Sequence, residues 1–318
     1  MDCGFNMNHA PNPFTNRGVI TNADDFFGRE YQINEILTRL RTMQSSSIVG
    51  ERRIGKSSLL YHLKLTGAER LNDSSYRFLY LDLQEAQFHT VTGFLKAALK
   101  ELAADAEAIK SDDSLSNRLI AFTEQIKALE QAGQRVVLCL NEFENTIKRR
   151  EEYTEAFFDH MRALLEMRLL AFATSTQKPL QALSLEGQLS SPFYNVFSLT
   201  ELRGFTEDEA RQFVDKYRPL VNFTEDEYRF ITSGFDSIGH HPLKLQILCD
   251  WTIRNRDLGL SDWALAEEIA KEYSNLFVGR FDPRQLRRAK RMFSLDNIKR
   301  VLDVLKAGKD VISGSKKE

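Results

Sequence analysis

The chain has 318 residues, too many for one small domain and enough for two or three compact units. Hydrophobic side chains make up 42% of it and the formal net charge is −2, which excludes wholesale disorder and gives no global attraction to nucleic acid or an anionic membrane. The N-terminus lacks a basic region followed by an apolar stretch, and no window approaches the ~18 apolar residues of a membrane span, so the expectation is a soluble, cytoplasmic protein without a membrane partner.

Residues 1–25 are polar, carry Pro11 and Pro13, and read as an extended arm. From Phe26-Phe27-Gly28-Arg29-Glu30 the pattern becomes helical, with Ile33, Ile36, Leu37 and Leu40 on one face. Residues 45–49 are short, β-favouring and stop at Gly50, as a buried strand does, and a helix begins near Lys56. Residues 77–83 read as a second strand. Residues 90–117 carry helical spacing around an Ala-rich centre, and another helix covers 119–131.

The run 136–140, VVLCL, is continuously apolar, the pattern of a strand covered on both faces. A helix over 153–166 leads to a strand at 168–174, and 196–199 is a fifth. Strands alternating with helices make βαβ units, hence an α/β fold: a three-layer α/β/α domain around a mostly parallel sheet with right-handed crossovers. Cys3, Cys139 and Cys249 share no metal-ligand or disulfide spacing and read as thiols in a reducing compartment, two of them buried.

After Gly204 the pattern is helical throughout. Thr206 with Glu209 and Thr224 with Glu227 have the form of capping boxes, Pro242 fits the first turn of a further helix, and 260–277 reads as one more. The expected organisation is an arm at 1–25, a sheet domain at 26–203, an all-α lid at 204–280 and a basic segment at 281–318 that includes Arg284, Arg287, Arg288, Lys290 and Arg291.

Residues 50–57, Gly50-Glu51-Arg52-Arg53-Ile54-Gly55-Lys56-Ser57, match G-x-x-x-x-G-K-[ST] in full, between a strand and a helix. The glycines let the backbone wrap so that successive N–H groups point at phosphate oxygens. Lys56 neutralises the outer phosphates, Ser57 ligates Mg²⁺ through its hydroxyl, and the helix N-terminus that continues through Ser58 adds its partial positive charge. The expected cofactors are ATP and Mg²⁺. No [NT]KxD guanine box is present, which favours adenine.

P-loop proteins with an extra strand between their two motifs end a later strand in an acidic pair, one carboxylate supporting Mg²⁺ and the next polarising water. Here VVLCL ends in Asn141-Glu142-Phe143-Glu144. Asn141 stands where an aspartate is expected; it keeps an oxygen for a metal-bound water but loses the charge. Slow or conditional hydrolysis follows, with Glu142 as the base and Glu144 as partial electrostatic compensation. Thr174 and Ser175, at the fourth strand's end, are candidates to sense a γ-phosphate, because ligands of open α/β sheets bind at carboxyl ends of strands. Arg162 and Arg203 are candidate arginine fingers, in cis or across an oligomer.

With these residues assembled, the chain resembles the STAND-class ATPases, within the AAA+-related, ASCE-type P-loop NTPases. Phe26–Glu30 is similar to an "FxGRE" entry box, Val49–Leu60 to "VGxRRxGKSSLL", Leu140–Glu144 to "hDEFE" short of its Asp, and Gly239–Gln246 to "GGHPxxLQ". Asn12-Pro13-Phe14 also fits bacterial members. The resemblance covers about residues 12–255. It implies that Phe27, Gly28 and Arg29 lie by the adenine, that Pro242 approaches the base, and that ATP closes a helical lid to switch assembly with a partner protein or a further copy of the chain. It also implies a role such as signalling or phage defence, and room for part of a winged helix near the C-terminus.

Two other functions compete. One is a DNA-associated AAA+ loader that reads DNA through residues 284–300, which hold seven basic residues but few aromatics. The other is a pseudo-ATPase scaffold that holds nucleotide permanently. A kinase is disfavoured for want of an acceptor-binding signature, and His240 and His241 have no third ligand nearby in sequence.

Overall fold

The computed structural model describes residues 12–238, 240–258 and 272. They divide into two compact units, one Val19–Leu202 and the other formed by residues up to Gly18 with those from Arg203 onward. The expected arm is thus shared: 12–18 fold with the helical unit and 19–25 with the sheet unit.

In the sheet unit the order is α1 (Glu30–Leu40), β1 (Ser45–Val49), α2 (Lys56–Leu71), β2 (Tyr76–Asp82), α3 (Val91–Glu101), α4 (Leu115–Gln131), β3 (Arg135–Asn141), α5 (Glu144–Lys148), α6 (Glu155–Glu166), β4 (Leu170–Thr176), α7 (Leu180–Glu186) and β5 (Phe197–Glu201). The strands pair in the order β2-β3-β4-β1-β5, and every pair is parallel. β4 therefore lies between the strand that feeds the phosphate loop and the strand that ends in Asn141.

Alternation along β3 explains its unbroken apolar run. Val136, Leu138 and Leu140 enter a core with α3, α4 and α6, while Val137 and Cys139 enter the opposite core with α1 and α2. On β4, Leu170 and Phe172 likewise face the first core, and Ala171 and Ala173 the second. Cys139 is a buried free thiol, as is Cys249 in the other unit.

At one helix the structure departs from the spacing. Residues 90–117 do not form a single helix: α3 ends at Glu101, Ala103 takes a left-handed φ of 54°, and α4 starts only at Leu115. Polar side chains explain the break. Asp105 Oδ1 accepts from the Glu107 N–H at 2.9 Å and Ser114 Oγ from the Asn117 N–H at 3.2 Å, so they bond the backbone locally and restart the chain.

The helical unit contains α8 (Glu207–Val221), α9 (Glu225–Ser233), α10 (Phe235–Ile238) and α11 (Pro242–Leu258). Both capping boxes form: Thr206 with Glu209 and Thr224 with Glu227 exchange reciprocal bonds of 2.8 to 3.2 Å. Phe14 is fully buried against Phe213, Tyr217 and Phe223. Arg17 and Asn12 both reach the buried Asp250, at 2.6 and 2.7 Å. The expected helix at 260–277, apart from residue 272, and the basic segment 281–318 lie outside the described residues, as does Cys3. Among the described residues no helix is long and apolar enough to cross a membrane.

Candidate functional site

The phosphate loop occupies the carboxyl end of β1, held from three sides. Leu202 donates its N–H to the Val49 carbonyl at 2.7 Å, and a Cβ on Gly50 would sit 2.5 Å from the Leu202 carbonyl oxygen, so only glycine fits there. Ile54, 1% exposed, plugs the core beneath, and the buried Arg29 donates from Nη2 to the Ile54 carbonyl at 3.3 Å. Gly55 turns the chain into α2 with φ 106°, and Arg53 is also left-handed at 64°. Glu51 and Arg52 are exposed.

At the head of α2 the side chains are already engaged. Lys56 is buried and donates from Nζ to the carbonyls of Gly50 at 2.8 Å and Glu51 at 3.0 Å. Burial pushes its ammonium below the ordinary lysine range, opposed by the nearby Glu142, Glu144 and Glu51. Ser57 Oγ donates to Asn141 Oδ1 at 2.8 Å. The Ser58 hydroxyl instead accepts the Ile20 N–H at 3.0 Å, so what it offers an anion is its backbone N–H, among those a helix start leaves without an intrahelical partner.

The second motif meets the first at Asn141. Its Oδ1 also accepts from Ser175 Oγ at 2.8 Å, and Ser175 Oγ in turn accepts the Glu142 N–H at 3.1 Å. Ser57, Asn141 and Ser175, from α2, β3 and β4, thus converge on one amide oxygen. Glu142 turns out of the strand at φ 53°, a left-handed conformation that is costly for a residue with a Cβ. Glu144 is buried; its Oε1 accepts the Gln177 N–H at 3.3 Å, its Oε2 has no hydrogen-bond partner, and burial, then Glu142, pushes its carboxyl above the usual range.

A family model described as an ATPase domain predominantly from Archaea matches residues 26–238, the span that holds both motifs. The chain belongs to this ATPase family. No curated protein matches it in sequence. Solved structures share its fold, among them the following three. The Walker-type ATPase of Pyrococcus abyssi has a TM-score of 0.60 at 18% identity, over 87% of this chain and 79% of that one. The Aeropyrum pernix ORC2 protein in ADPNP-ADP complexes has 0.54 at 14%, over 92% and 71%. The Aeropyrum pernix ORC1 protein in complex with DNA has 0.51 at 11%, over 92% and 87%.

The other candidate residues of this ATPase domain fall in different places. Ser175 is in the site, but Thr174 faces the opposite side of the sheet, where its buried hydroxyl has no partner. Arg162 is not brought to the loop in this chain. It sits on α6, which covers the face away from α2 and runs back toward the amino-terminal ends of the strands, and Nη1 lies 3.6 Å from Glu166. Phe26 stacks on His62 at 4.3 Å, while Phe27 is half-buried beside Gly28, whose φ is 69°. Pro242 is the first residue of α11, in the helical unit.

Two features at this edge of the sheet escape a reading of the sequence alone. The Leu202 carbonyl that dictates Gly50 carries no side-chain signal. Asp82 ends β2 in register with Asn141, and only strand order brings it there.

Proposed function

We propose that this ATPase domain binds ATP with Mg²⁺ at the 50–57 loop, hydrolyses it slowly, and acts as a STAND-type switch whose nucleotide state governs assembly with a partner protein or another copy of itself. The observation that carries this reading is the preset head of α2: Lys56 held by two loop carbonyls and Ser57 bonded to Asn141. Lys56 has only weak neutral acceptors to leave for a phosphate, and charge-assisted bonds are about twice as strong as neutral ones. Ser57 Oγ and Asn141 Oδ1, 2.8 Å apart, fit the oxygen-rich shell of a hard cation, though neither has a formal charge. Mg²⁺, when bound, offsets phosphate charge. Glu142 serves in this reading as the general base, and the missing carboxylate at 141 is the reason that slow turnover is expected.

Calorimetric titration with ATP and Mg²⁺ tests the reading. Lys56→Ala is expected to weaken binding at least about 100-fold. Equal heats from both proteins would overturn it. A second reading, association with DNA, draws on the DNA-bound Aeropyrum pernix ORC1 fold relative and on the basic run 284–300. DNA binding that weakens with salt and is lost on neutralising Arg287, Arg288 and Arg291 would favour it over partner-protein switching.

A further inference from the structure

The uncharged pair Ser57 and Asn141 leaves a gap in charge, and the sheet places a carboxylate beside it. Asp82 is the last residue of β2 and lies in register with Asn141, the last of β3. Neighbouring strands are about 4.8 Å apart. The two side chains also share a face. On β2, Tyr76, Phe78 and Tyr80 pack into the α1/α2 core while Leu79 and Leu81 enter the other, so alternation puts Asp82 on the α2 side. On β3, Val137 and Cys139 put Asn141 on that side too.

Helix packing gives the same answer independently. Tyr61 of α2 meets Tyr80 of β2 edge-on, at 5.1 Å between centroids. α2 runs antiparallel to β2, as a βαβ crossover requires. Four residues back along the helix, about 6 Å toward the loop, is Ser57. Two residues on along the strand, about 6.6 Å in the same direction, is Asp82. From the Tyr61–Tyr80 contact, Ser57 and Asp82 therefore both lie toward the carboxyl edge of the sheet.

The carboxylate is also uncommitted. Asp82 Oδ1 accepts the Gln84 N–H at 3.1 Å, and among the described residues Asp82 has no ion pair. The buried hydroxyl of Tyr80, on the same face two residues back, has no hydrogen-bond partner.

We infer that Asp82 supplies, from the neighbouring strand, the negative charge toward a divalent cation at Ser57 that Asn141 does not carry. The inference rests on the nucleotide-binding reading and is tested apart from turnover, by titrating a fluorescent ADP analogue in Mg²⁺ and in EDTA. Asp82→Asn keeps an oxygen for the Gln84 N–H, so the turn is preserved, and a thermal melt without nucleotide checks the fold. The variant is expected to lose about tenfold of the affinity gained from Mg²⁺, with affinity in EDTA unchanged. In an Asn141→Asp background the same change is expected to cost less than about twofold, because the charge is then present on β3. If Asp82→Asn keeps the full Mg²⁺ gain, or the wild type shows none while binding the analogue in EDTA, the role of Asp82 is overturned and nucleotide binding stands. If the wild type binds the analogue in neither condition, both readings fall together.

Discussion

The two halves of the site are built differently. The phosphate loop is one stretch of eight residues between β1 and α2, and the groups proposed to meet an anion are its backbone amides and one lysine. The second half is assembled from Ser57 on α2, Asn141 on β3 and Ser175 on β4, with Asp82 of β2 in register beside Asn141. Local sequence dictates the first, because its conformation depends on glycines at fixed offsets. Strand order dictates the second, because residues far apart in the chain become neighbours only when the sheet closes. A single substitution should therefore break the loop as a unit but change the composite half by degrees.

The largest effect is expected from Gly50→Ala. The added Cβ would meet the Leu202 carbonyl at 2.5 Å and Ile54 Cγ2 at 3.0 Å, and a carbonyl held in the sheet cannot yield as a flexible side chain does. A stability loss of about 2 kcal/mol is expected in chemical denaturation, with nucleotide affinity falling alongside. An unchanged denaturation midpoint would show that the loop is not clamped against Leu202.

Asn141→Asp sharpens the composite half. The aspartate keeps an oxygen for both Ser57 and Ser175, so the fold should hold, and it adds the charge that the proposed cation lacks there. Single-turnover hydrolysis is expected to rise about tenfold, while the nucleotide-free protein melts lower because the new carboxylate adds a charge near Asp82 and Glu142. A rate equal to that of the wild type would mean that Asn141 is not what slows hydrolysis, and that the scaffold reading describes the chain better.

How much was legible follows the same division. The 50–57 loop, both capping boxes and the doubly buried strand VVLCL were readable because each signal is local and repeats over a few residues. The break between α3 and α4 was not, because Ala-rich spacing looks continuous until Asp105 and Ser114 bind the backbone. Thr174 and Ser175 were equal candidates in sequence. The pleat separates them, and only Ser175 reaches Asn141. The position of Arg162 was illegible for the same reason, since linear order does not say which face of the sheet α6 covers.

The smallest expected effect concerns Glu144, the buried carboxylate whose Oε2 has no hydrogen-bond partner. Burial and Glu142 hold its carboxyl above the ordinary value of 4.5, so the native state keeps this proton to higher pH than the unfolded chain does. Its contribution is therefore most favourable below the ordinary value, declines as pH rises through the raised one, and is flat beyond it. Glu144→Gln removes that decline and retains an oxygen for the Gln177 N–H. Melts from about pH 4 to about pH 8 should show the variant gaining on the wild type as pH rises above the ordinary carboxylate range and levelling off beyond the raised one. Curves that stay parallel would mean that Glu144 is paired in solution and that the charge at this strand end is balanced. The composite half would then need no proton to hold its carboxylates together, whereas a gain with pH would show that nucleotide-free folding already strains against them.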